Sequence, residues 1–180
     1  MTLIYKYISF YHIMEYYFDE VFKQKIVSNI IDKITHPDFS YKEDDKVYEL
    51  VSFIKGKVRD NGEDGQGNER ASLVYVLKEY IDISELMDRI DKISLDGYQY
   101  YQEHTVSFCD GSKIGWNDGK GVYSCLANRI YNTRNALIHS KSGKKDKMYK
   151  PYRDEMILQK EIPLVRVIAE MIIINSSKVI

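Results

Sequence analysis

Apolar residues recur at helical spacing along most of this chain, and that periodicity limits what it can fold into more than any motif does. Leu3, Tyr7, Phe10, Met14, Tyr17 and Val21 follow one another at intervals of 4, 3, 4, 3 and 4. Such intervals line up on one side of a helix with 3.6 residues per turn. A second row, Ile8, Tyr11, Phe18 and Phe22, runs beside the first and is broken by Glu15. The pattern predicts one long helix over 3–34, stopped at His36-Pro37 because the residue before a proline avoids helical geometry. A second helix is expected over 40–59, with Ser40 as N-cap and Glu43 completing a capping box. Its apolar positions are Val47, Leu50, Val51, Ile54 and Val58. Further helices are expected over 69–80, from near Ser84 to Ile93, over 121–139 and over 154–176. The last carries Ile157, Leu158, Leu164, Val165, Ile168, Met171 and Ile172 inward, with a kink at Pro163.

The segments between these helices are punctuated by composition. Residues 60–68 are glycine-rich and acidic and read as a flexible loop. Residues 140–153 read as a second one. Between 96 and 120 glycines exclude a long helix, and one short β-hairpin near 105–116 is expected, with strands over 105–108 and 113–116. The prediction is a single all-α domain over 1–180: a helical bundle with long first and last helices. It leaves open whether that domain is a piece of a longer protein. At 180 residues the chain can bury a substantial core.

The formal net charge is −1, so any nucleic-acid contact has to come from a local basic patch and not from the global field. Cys109 and Cys125 form no CxxC pair and no Cys/His cluster, and His12, His36 and His104 show no ligand spacing; no metal or other cofactor is expected. No apolar run approaches the roughly 20 residues of a membrane span. With no evident leader and no disulfide pattern, a cytoplasmic location and no membrane partner are expected. The 16 tyrosines suggest surfaces that are half packed and half wet, as at a dimer seam or a nucleic-acid platform.

Chemistry concentrates at Arg134-Asn135-Ala136-Leu137-Ile138-His139. Asn128, Asn132, Asn135 and His139 fall at spacings of 4, 3 and 4, one polar stripe opposite Leu126, Ile130 and Leu137. Asparagine is a poor helix former, so a stripe of three calls for a compensating role. Arginine presents a permanently charged planar fork to a phosphate, and histidine exchanges protons near neutral pH. RNA brings its own nucleophile, the 2′-hydroxyl. A base, an acid and a cation beside one phosphodiester therefore suffice for cleavage. Arg134 and His139 are about 140° apart around an ideal helix, so they converge best if the helix frays or if a second copy supplies the partner residue. Behind the motif, Lys141, Lys144, Lys145, Lys147, Lys150 and Arg153 face the single acid Asp146, with Tyr149 and Tyr152 interleaved. Such a mixture can follow a phosphate backbone and stack bases.

Arg134-Asn135 followed by His139 resembles the signature of the HEPN superfamily: arginine, a polar residue, a short spacer, histidine. The long first helix with Tyr11-His12-Ile13-Met14-Glu15-Tyr16-Tyr17-Phe18, the approach Ala127-Asn128-Arg129-Ile130-Tyr131-Asn132-Thr133 and the closing helix with Pro163-Leu164-Val165 are similar to HEPN domains of the ApeA-like, abortive-infection kind. The resemblance implies a homodimer whose paired motifs form a composite, metal-independent site cleaving single-stranded RNA in phage defence or growth arrest, with a sensor domain or partner protein as a further associate. It assigns catalysis to Arg134, Asn135 and His139. One HEPN toxin group has a tyrosine two positions after the histidine; Lys141 stands there instead, which argues against that branch.

Simpler readings stand beside these. Arg134 and His139 could complement the dipole at a helix C-terminus. Glu15 either pairs with an arginine across the bundle or supports the site. Asn128, Asn132 and the lysines 141–147 either contact RNA or belong to a solvated surface. A HEPN-like domain that binds RNA or nucleotide without cutting it, or serves dimerisation alone, is the alternative to an endoribonuclease.

Overall fold

The computed structural model describes residues 2–60, 69–138 and 148–177, apart from the side chains of 57–60. Among these the helices are α1 (Leu3–Tyr16), α2 (Phe18–Ile34), α3 (Asp44–Asp60), α4 (Glu69–Tyr80), α5 (Ile83–Ile93), α6 (Gln99–Glu103), α7 (Gly121–Ile138) and α8 (Glu155–Ser176). The chain is an all-α bundle, and none of the described helices is long and apolar enough to cross a membrane.

The helical stretch predicted over 3–34 is present, with one tightened turn at Tyr17 that divides it into α1 and α2. There the Tyr17 N–H bonds back three residues to Met14, at 3.1 Å. The Tyr17 phenol meets Ser176 Oγ at the end of α8, at 2.9 Å. The buried seam runs between the two predicted rows and takes residues from each: Tyr7, Tyr11, Met14, Phe18 and Val21. Its α1 part lies along α8, whose Leu158, Leu164, Val165, Ile168, Met171 and Ile172 are buried as the periodicity requires, and its α2 part lies against α4. Helix α4 fills the space between α2 and α7 with Leu73, Val76 and Leu77.

Helix α8 runs through Pro163 without interruption. Proline leaves the Gln159 carbonyl without its helical donor, and one residue further on the Tyr101 hydroxyl donates to the Lys160 carbonyl, at 2.9 Å. Helix α3 starts later than predicted. Ser40 Oγ accepts the Lys42 N–H at 3.3 Å, so this residue caps a preceding turn instead of the helix. At α5 the N-cap is Asp82, whose carboxylate accepts the Glu85 N–H at 2.9 Å, two residues before the expected start.

The hairpin expected over 105–116 reduces to one antiparallel bridge, Val106 to Gly111. The second predicted strand pairs elsewhere: the Ile114 N–H donates to the Tyr101 carbonyl, at 2.9 Å. The turn is tight, since a Cβ at Gly111 would meet Val106 Cγ2 at 2.8 Å. Its apolar residues Val106, Phe108 and Ile114 are buried, so the segment serves as a plug in the core more than as a sheet.

One part of the molecule lacks a core. Between 22 and 56 no residue is buried, and α3 packs on α2 alone among the principal helix contacts. Val27, Ile31, Val47 and Val51 are exposed on this two-helix arm.

Candidate phosphate site at the end of α7

Helix α7 carries two arginines five residues apart, and its packing treats them differently. Arg129 occupies a core position beside Leu126, Ile130 and Thr133, all buried. Its Nε and Nη2 donate to the two oxygens of Glu161 on α8, at 2.8 and 2.7 Å. Its Nη1 donates to the carbonyls of His104 and Ser112, at 2.6 and 2.9 Å. Burial alone would make this guanidinium easier to deprotonate. The hydrogen bonds and charge of Glu161 outweigh that, and its pKa rises. With its fork paired and its remaining amino group used on two loop carbonyls, Arg129 binds α7, α8 and the 104–112 segment into one unit. Each of its three guanidinium nitrogens is engaged, and the buried side chain offers a ligand no exposed surface.

Arg134 lies at the other extreme. Its Nη1 donates to Asn135 Oδ1 at 3.1 Å. Beyond that it faces two carboxylates at distances longer than good hydrogen bonds: Glu69 Oε2 at 3.5 Å and Glu15 Oε1 at 3.8 Å. The guanidinium sits over the Tyr11 ring, 5.2 Å from its centroid, within reach of a cation–π attraction. Arg134 Nε, Glu69 Oε2 and the Tyr11 hydroxyl are buried atoms with no hydrogen-bond partner. Burial pushes the Tyr11 phenol up, and Glu69 adds to the shift. Buried polar atoms are usually paired, so three unpaired ones around a single guanidinium mark a site whose polar capacity is not used up. The Arg134 side chain keeps 15% of its surface open.

The other predicted site residues fall into two sets. Asn128 and Asn132 have a local task. Asn128 Oδ1 accepts from Ser112 Oγ at 2.7 Å, and Asn132 Nδ2 donates to the Asp110 carbonyl at 2.9 Å. They tie the 110–112 turn onto α7, which accounts for two of the three asparagines in the helix without invoking RNA. Asn135 is left beside Arg134. His139, which follows Ile138 in sequence, lies outside the described residues, as do Lys141, Lys144, Lys145 and Lys147 and most of both predicted loops. Of the described part of the basic segment, Tyr149 packs edge-on against Phe108 at 5.3 Å. Arg153 pairs with Asp154 at 2.7 Å. Tyr152 stays exposed at a positive φ of 69°.

Sequence reasoning did not find Glu69, Tyr11 or the Arg129–Glu161 pair. The last did leave a signal: opposite charges standing in two otherwise apolar stripes. Glu69 left none, because nothing in its neighbours indicates an arginine 65 positions downstream. Among the described residues no three His, Cys, Asp or Glu side chains are grouped to hold a metal ion. No family model, curated protein or solved structure matches the chain.

Proposed function

We propose that the chain is a HEPN-like endoribonuclease that cleaves single-stranded RNA by activating the substrate's own 2′-hydroxyl. The observation that supports this reading best is the contrast within α7. Every guanidinium nitrogen of Arg129 is hydrogen-bonded, whereas Arg134 has one hydrogen bond, a buried Nε without a partner and a side chain 15% open. An arginine so placed suits a phosphodiester, to whose non-bridging oxygens its fork can donate. Asn135 holds the fork by accepting from Nη1. His139 supplies the proton transfer and, through a second copy of the chain, the complementary acid or base. No step calls on a metal ion.

The reaction is a transesterification. The 2′-oxygen attacks phosphorus as its proton goes to one imidazole, the bond from phosphorus to the 5′-oxygen breaks, and that oxygen takes a proton from the other imidazole. The products are a 2′,3′-cyclic phosphate and a free 5′-hydroxyl. The test is an end-labelled single-stranded RNA incubated with the protein in the presence of a chelator. The expected result is cleavage with those termini, blocked by a 2′-deoxy substitution at the cleaved position and lost in His139→Ala with the helical circular dichroism unchanged. A His139→Ala protein that still cuts removes the assignment. The runner-up, a non-cutting RNA binder, would retain RNA without shortening it.

A further inference from the structure

We propose that Glu15 and Glu69 hold Arg134 in a carboxylate-paired resting state, and that a phosphodiester engages this guanidinium only by displacing at least one of them. The identity of the incoming group rests on the ribonuclease reading. The resting pair itself rests on the geometry around Arg134.

Three observations carry it. The first is charge. Two carboxylates face one guanidinium, so among these three side chains the sum is −1 before any substrate arrives. A phosphodiester brought up to Arg134 would meet a second and a third negative charge within a few ångströms, and like charges in a partly buried site repel strongly. The second is the quality of the pairing. Arg129 and Glu161 meet at 2.7 and 2.8 Å, whereas Arg134 meets its carboxylates at 3.5 and 3.8 Å. Arg134 Nε and Glu69 Oε2 have no hydrogen bond. A pair held by Coulomb attraction without hydrogen bonds gives up little when a better acceptor takes one member. The third is what stays in place. The Tyr11 ring supports the guanidinium face whichever anion lies at its edge. Glu15, partly exposed, has a neighbour to turn to in His12 Nε2, at 3.9 Å.

The competing explanation is structural. Glu69 is the first residue of α4, where a carboxylate complements the helix dipole, and it could be there for that alone. The two accounts predict opposite responses to neutralisation. If the carboxylates restrain Arg134, Glu15→Gln and Glu69→Gln tighten anion binding. If they only stabilise the fold, both variants melt lower and anion binding is unchanged.

Inorganic phosphate is the probe, titrated at constant ionic strength against chloride, with affinity read from the rise in melting temperature. Each Gln variant is expected to bind phosphate about tenfold more tightly than the parent protein, the scale of removing one like charge at ~5 Å in a medium between water and protein interior. The gain should vanish when Arg134→Ala is added. Glu15→Gln carries the test by itself if Glu69→Gln does not fold. Unchanged or weaker phosphate binding in the folded variants overturns the proposal. RNA cleavage measured alongside separates the two readings. Gained phosphate binding with no cleavage by any form keeps the resting pair and removes the ribonuclease. Cleavage by the parent protein with no gain in the variants does the reverse.

Discussion

Arg129 and Glu161 join α7 to α8 by a two-point ion pair, with nitrogen–oxygen distances of 2.8 and 2.7 Å and both side chains essentially out of contact with solvent. Taking two charges out of water is costly, and the loop carbonyls of His104 and Ser112 complete the solvation that water would have given the cation. Removing one partner strands the other. Arg129→Met should therefore destabilise the protein by about 3–5 kcal/mol, measured by urea unfolding. The paired change Arg129→Met with Glu161→Leu should cost clearly less than Arg129→Met alone. A double variant as unstable as the single one would show that the loop carbonyls, not the carboxylate, set the penalty.

The bundle was legible where one periodicity dominated. The 3–34 helical stretch and the inner positions of α8 follow directly from apolar spacing, because each helix buries one stripe. Boundaries were less legible where a side chain had two uses. Ser40 has the chemistry of an N-cap, yet spends its oxygen on a turn two residues on. The 105–116 segment has strand-like residues, but Ile114 finds its backbone partner at Tyr101, a long-range pairing that no local pattern encodes. At the site, Arg134 and Asn135 stood out from their neighbours, while Glu69 and Tyr11 did not. Their role exists only once α1, α4 and α7 are packed together.

Asp154 offers a pH signature. Burial by itself would raise its pKa, but the hydrogen bonds from Arg153 and the Lys150 N–H outweigh that and hold the carboxyl below its ordinary value. A carboxyl depressed in the folded state stabilises fully above its unfolded value of ~3.9. That contribution is lost as pH falls through the lower folded value. Asp154→Asn should flatten the acid limb of the melting temperature against pH while leaving a generally lower plateau at neutral pH. An acid limb identical to that of the parent protein would rule out this pair as a contributor.

Burial pushes the Cys109 thiol up to about 11, and its Sγ lies 3.6 Å from Thr133 Oγ1. Thiolate, not thiol, is the nucleophile. Iodoacetamide at neutral pH should therefore leave Cys109 unmodified in the folded protein and label it readily in urea, as read by peptide mass spectrometry. Rapid labelling of Cys109 under native conditions would contradict its placement behind α7.

Helix α3 has an amphipathic sequence and no buried residue among its described side chains, so its hydrogen bonds are protected chiefly by contact with α2. Local stability follows burial. Amide exchange should be fast along α3 and slowest in the buried turns of α7 and α8. Equal protection of α3 and α8 would mean that the arm is covered in solution.

Arg134 is the group proposed to meet phosphate. The direct measurement is the single-turnover cleavage rate of an end-labelled single-stranded RNA by the parent protein and by Arg134→Ala, with the melting curve recorded for both. Loss of a donor to the reacting oxyanion typically costs about a hundredfold or more in rate. The prediction is a fall of that size with the fold intact. A folded Arg134→Ala protein that cuts RNA at the parent rate would contradict it.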